Sequence, residues 1–286
     1  MDYKNPSSLI SVHELSKNLM TPNLRVIDAT SYLPGMSDIS AYDNYKTSHI
    51  PGAVFFDIDK IADTDSELPH MLPNSEEFCQ KVSMLGVNDG DRIIVYDQNG
   101  GFMSACRVWW MFKYFGFDQI AVLNGGFLEW LAANLPIESI EKKVNHGNIS
   151  SQQPLNLVCN FRNMLENCQS KTHQVIDARS SGRFLGEQDE PRPGLRKGHI
   201  PGSINIPYIE LMKPNENFMF KTADELTSIV SASGIYTSKP IIATCGSGIT
   251  ACVIAFSLHL IGFDDCKIYD GSWVEWGSNK DAPIAT

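Results

Sequence analysis

Apolar and polar positions along this chain follow two alternating rhythms. Short β-branched runs at 24–27, 93–96, 120–123, 174–176, 241–244 and 267–269 predict strands buried on both faces. Between them, apolar residues recur at helical spacing over 75–85, 105–115, 223–233 and 251–261. Strand alternating with helix predicts an α/β fold, with parallel sheets flanked by helices on both faces. In such sheets ligands sit outside the carboxyl ends of the strands.

The pattern also repeats. Val26-Ile27-Asp28-Ala29 returns as Val175-Ile176-Asp177-Ala178, and His49-Ile50-Pro51-Gly52 as His199-Ile200-Pro201-Gly202. Gly116-Phe117-Asp118 returns as Gly262-Phe263-Asp264. Asn124-Gly125-Gly126-Phe127-Leu128-Glu129-Trp130 is echoed by Asp270-Gly271-Ser272-Trp273-Val274-Glu275-Trp276. Four islands in one order, offset by 146 to 150 residues, mark a tandem duplication. The expected division is a first domain over 1–140, a polar linker over 141–157 and a second domain over 158–286. Features common to both copies, such as His49 and His199 or Asp28 and Asp177, read as elements of the fold.

Composition narrows the function. The 286 residues suit two domains, and 43% hydrophobic with 20% charged residues is the balance of a soluble protein. A formal charge of −10 argues against nucleic acid or an acidic membrane surface as partner. No apolar run approaches a membrane span, and the first residues lack the pattern of a secretory signal. Seven cysteines, none in a C-x-x-C pair or at zinc spacing, suggest free thiols in a reducing compartment, with the cytoplasm expected.

The chemistry concentrates where the run 241–244 ends. Cys245 is followed by Gly246-Ser247-Gly248-Ile249-Thr250 and then by a helical pattern. Two glycines let the backbone curl with its amides turned inward around the sulfur. Those amides and the following helix N-terminus are expected to favour thiolate over thiol, making Cys245 a nucleophile. A cysteine phosphatase or arsenate reductase would need an arginine six residues on to clamp phosphate, and Ala251 stands there. The loop itself carries no charge, so any charge for an anionic substrate must come from elsewhere. In the first copy Asp97 aligns with Cys245, and an aspartate cannot hold a transferable sulfur. The first domain is therefore expected to be chemically inert and to supply a wall of the site.

Over nearly its whole length the chain resembles the two-domain rhodanese-type sulfurtransferases, and among them the branch that uses 3-mercaptopyruvate. Cys245-Gly246-Ser247-Gly248-Ile249-Thr250 matches that branch's C-G-[ST]-G-V-T loop except at Ile249. Thiosulfate-specific relatives carry basic residues after the cysteine, and their absence favours mercaptopyruvate. The resemblance implies two tandem rhodanese-like domains, each a parallel sheet flanked by helices. It assigns Gly246, Gly248, Ile249 and Thr250 to the substrate cradle, and Arg183 and Arg192 to the grip on the substrate's carboxylate and keto oxygen. Glu187, Asp189 and Glu190 lie alongside, so surface ion pairing is the competing reading of those arginines. The resemblance also implies that Asp59 and His70, from the first domain, assist Ser247 in proton transfer beside Cys245. It implies no metal or organic cofactor, and a thiol acceptor such as thioredoxin, or cyanide. Thiosulfate:cyanide sulfur transfer and a non-enzymatic persulfide relay are the alternatives.

Overall fold

The computed structural model describes residues 2–32, 38, 40–100 and 103–286, and contains two five-stranded sheets built to one plan. In the first, β1 (Leu9–Ile10), β2 (Leu24–Asp28), β3 (Val54–Phe55), β4 (Arg92–Tyr96) and β5 (Ile120–Leu123) lie in the order β1-β5-β4-β2-β3. In the second, β6 (Val158–Cys159), β7 (Gln174–Asp177), β8 (Ile204–Asn205), β11 (Ile241–Thr244) and β12 (Cys266–Tyr269) take the order β6-β12-β11-β7-β8. Every pairing within both sheets is parallel. Between β8 and β11, β9 (Met212–Lys213) and β10 (Met219–Phe220) form an antiparallel ribbon. The sequence pattern did not foresee that ribbon or the two-residue edge strands, because two residues carry no readable period.

Helices α1 (Val12–Asn18), α2 (Ala41–Thr47), α3 (Ile58–Ile61), α4 (Ser75–Ser83), α5 (Met103–Tyr114) and α6 (Gly126–Ala132) accompany the first sheet. The second has α7 (Phe161–Ser170), α8 (Ser181–Phe184), α9 (Ala223–Ala232), α10 (Ala251–Leu260) and α11 (Ser272–Ser278). Ser11, Ser40, Asn74 and Asn160 cap their helices by accepting the third amide, and Thr222 and Glu225 form a reciprocal capping box.

The largest buried cluster is shared by the two halves, and each half has a smaller one of its own. Ile27, Val95 and Val122 belong to the same buried cluster as Ile176, Ala243 and Ile268. Helix α5 meets α10 at the seam, where Trp109 stands edge-on to Phe256 with ring centroids 4.8 Å apart. All of α10 except His259 is buried, which accounts for its apolar character all the way round. The N-terminal segment reaches across as well, Asn5 Nδ2 donating to the His259 carbonyl at 2.7 Å. Residues 141–157 carry no helix or strand and lie along the first unit, with the Leu155 amide donating to the Tyr114 carbonyl at 2.7 Å.

Candidate active site

Cys245 directly follows β11, at the carboxyl edge of the second sheet. The loop behind it is pinned by α11, whose Trp273 and Val274 amides donate to the Cys245 and Gly246 carbonyls at 3.0 and 2.9 Å. Ser272 Oγ sits inside the turn and accepts from the amides of Cys245 and Gly248 at 3.2 and 3.1 Å, while donating to the Tyr269 carbonyl at 2.7 Å. Of the amides expected to turn inward around the sulfur, those of Cys245 and Gly248 are therefore held by Ser272 instead. Among the described residues, the amides of Gly246, Ser247, Ile249 and Thr250 meet no protein acceptor. Gly248 has φ +77°, and a Cβ there would lie 2.8 Å from the Asp270 carbonyl oxygen, so only glycine fits.

A cavity of about 180 Å³ opens over this turn. Cys245, only 1% exposed, lies on its wall with Gly246, Ser247, Ile249 and Thr250, but Gly248 does not line it. Facing the loop are Arg179, Arg183, Arg192 and Tyr208. The uncharged turn therefore does face cations contributed by other segments, and Arg183 and Arg192 are both among them. Burial pulls the Arg192 pKa below its ordinary value, against the attraction of Cys245.

Arg179 was not singled out by the sequence, yet it holds the arginines in order. Its side chain forks onto Asp177, with contacts of 2.6 to 3.1 Å, and stacks 4.1 Å from the Trp273 ring centroid. It also reaches Glu190 Oε1 at 2.7 Å, and Glu190 Oε2 receives Arg183 at 2.5 Å. Both readings of Arg183 thus hold together: it is ion-paired, and it lines the cavity. Glu190, with its side chain 3% exposed, is a buried spacer between two guanidiniums. Asp177, set aside as an element of the fold, anchors the chain of charges. In the other copy Asp28 instead accepts from Thr30 and Gln98.

From the first domain, His70 Nδ1 lies 2.9 Å from Asp59 Oδ1. On its other side His70 Nε2 is 3.5 Å from Arg192 Nη2. His70 does not line the cavity wall and touches it through Arg192, and Asp59 is more exposed behind it. Its backbone has φ +62°, rare for a residue with a side chain. His49 and His199, by contrast, stack on Tyr45 and Phe184 as packing elements.

Asp97 occupies in the first copy the place of Cys245, one residue past β4. The equivalence is local and close: the Phe127 amide donates to the Asp97 carbonyl at 3.1 Å as that of Trp273 does to Cys245. Burial pushes the Asp97 carboxyl up to about 6. Part of the loop at 97–104, residues 101 and 102, lies outside the described residues.

A nucleophile-bearing turn at the edge of one of two matching parallel sheets defines the class. A family model of the rhodanese-like domain matches residues 11–133 and 160–279, and the chain belongs to that family. Within it, the chain is 41% identical over 270 residues to the 3-mercaptopyruvate sulfurtransferase of Escherichia coli (strain K12), covering 94% of this chain and 95% of that protein. It is 39% identical to the thiosulfate sulfurtransferase of Rattus norvegicus, with 94% and 91% covered. The crystal structure of SseA from Escherichia coli, described as a 3-mercaptopyruvate sulfotransferase with the rhodanese fold, superposes with a TM-score of 0.85 at 38% identity, covering 93% of this chain and 98% of that one.

Proposed function

We propose that this protein transfers sulfur from 3-mercaptopyruvate, through a persulfide on Cys245, to a thiol or cyanide acceptor, releasing pyruvate. The observation that carries the reading is a buried cysteine at a charge-free turn, faced across one cavity by Arg183 and Arg192. Two guanidinium forks suit the carboxylate and keto oxygen of a planar α-keto acid.

In the first half-reaction the arginines hold the donor with its thiol sulfur against Cys245. The thiolate attacks that sulfur, an S–S bond forms, and the donor's C–S bond breaks. The electron pair leaves as the enolate of pyruvate, whose keto group delocalises the charge. Ser247, with His70 and Asp59 behind Arg192, carries the proton that the enolate carbon takes up. The outer sulfur of the persulfide then rests against the free amides of the loop. In the second half-reaction an acceptor thiolate takes that sulfur and regenerates Cys245, which gives ping-pong kinetics. Thioredoxin is the protein acceptor proposed, and a thiol-rich reducing compartment such as the cytoplasm suits this step.

The test compares donors. Steady-state assays should give a higher kcat/KM for mercaptopyruvate than for thiosulfate. Intact mass after exposure to mercaptopyruvate should rise by one sulfur, and should not rise in a Cys245→Ser variant. Preference for thiosulfate would move the protein to the other named activity among its relatives, and no gain in mass would leave only a relay.

A further inference from the structure

The domain without Cys245 contributes a buried charge to the catalytic turn. Arg107, on α5 of the first domain, is completely buried, with its guanidinium 4.7 Å from the Trp110 ring centroid. It donates to Asp270 Oδ1 at 2.7 Å and to the Gly248 carbonyl at 3.2 Å, both in the second domain. Its other terminal nitrogen, Nη2, donates to the His70 carbonyl at 2.5 Å, in the first. Asp270 completes the clasp by accepting the Leu72 amide on Oδ2 at 2.9 Å. One ion pair therefore ties residues 70–72 to the loop at Gly248 across the domain seam.

We propose that Arg107 is a positioning residue for sulfur transfer, setting the Cys245–Thr250 turn and the His70 segment in a single relative arrangement. The inference rests on the function proposed above and gives the first domain a role in it. A planar fork spreads its donors over separate nitrogens and so reaches acceptors on three segments at once, whereas an ammonium places all of its donors at one point. A buried ion pair is weak evidence for stability, since apolar residues of similar volume fill such space at least as well. Its acceptors point instead to geometry. Gly248 belongs to the nucleophile's own turn, and His70 holds its unusual φ of +62° with its carbonyl on Arg107. Small displacements of a nucleophile from its line of attack are expensive, about 100-fold in rate for 1 Å.

The experiment uses the full chain, with Arg107→Lys and Asp270→Asn. For each, kcat and donor KM are measured with mercaptopyruvate, along with the melting temperature and the rate at which iodoacetamide alkylates Cys245 in the absence of donor. We expect both variants to fold, with kcat lower by about 10- to 100-fold. Donor KM should stay within about twofold, because Arg183 and Arg192 are untouched. Cys245 alkylation should slow in step with kcat. A variant that folds and keeps the parent kcat would overturn the proposal, as would a loss confined to KM. Failure of both variants to fold would also overturn it, by making the pair a requirement of the fold. If the parent protein takes no sulfur from mercaptopyruvate, the function reading fails. The alkylation rates, which need no donor, still decide the role of Arg107.

Discussion

Glu190 and Asp97 show how differently two buried carboxylates behave when their partners differ. Glu190 lies between Arg179 and Arg183 and fixes where the second guanidinium can point. In Glu190→Gln the shared charge is gone, and Arg183 keeps at most a neutral hydrogen bond. Donor KM is expected to rise about 10-fold, equivalent to ~1.4 kcal/mol, with a smaller change in kcat. Steady-state kinetics check this, and an unchanged KM would detach Glu190 from donor binding. Among the described residues Asp97 has no cation beside it, and burial raises its carboxyl from 3.8 to about 6. Its folded form binds the proton more tightly than the unfolded chain does. The stability it contributes is therefore full below about pH 4 and is lost as the pH rises through about 6. Two pH units correspond to roughly 3 kcal/mol. Asp97→Asn should match the parent in urea unfolding near pH 4 and exceed it at pH 7, and equal stabilities at both would refute the assignment. These residues also mark the reach of sequence reading. Cys245 was legible because glycines and an apolar run frame it. Arg179 was not, because Asp-Ala-Arg at 177–179 carries no signal until folding places Glu190 eleven residues on beside it.

At the scale of the element, the informative comparison is between the turn entering α6 and the turn entering α11. Gly126 has φ +51°, and Ser272, its counterpart, has φ +49°. The first copy meets this backbone demand with glycine, whereas the second accepts the strain and gains a hydroxyl that receives two loop amides. Ser272→Ala keeps the strain and strands two buried amides, so a loss of about 1–3 kcal/mol is expected. Ser272→Gly also loses the hydroxyl but relieves the backbone, recovering about 1 kcal/mol. Urea midpoints should therefore rank parent, then Gly, then Ala; a more stable Ala variant would contradict this account. The repeat at 124–130 and 270–276 was visible in the sequence. The exchange of Gly126 for Ser272 was visible with it, but the positive φ at that position and the two amides its hydroxyl receives were not, since a backbone angle leaves no trace in residue pattern.

Over the whole molecule, among the described residues, one of three buried clusters joins both sheets, and α10 is hidden on every side with α5 packed against it. The two domains should therefore unfold together. Calorimetry is expected to give one transition, with matching calorimetric and van't Hoff enthalpies. The segment 158–286 alone should fail to fold stably, because the face of α10 against Trp109 would be exposed. Two resolved transitions would refute the shared core. What the sequence determined by itself was whatever is encoded locally and repeatedly: alternating strands and helices, the duplication and the glycine turn around Cys245. The tertiary structure alone decided how distant charges pair. Glu190 reaching two arginines, and Arg107 crossing the seam to Gly248 and His70, depend on chain packing that brings together residues up to 141 positions apart. Hydrophobic period records only which face of an element is buried, and is silent on which polar groups meet there.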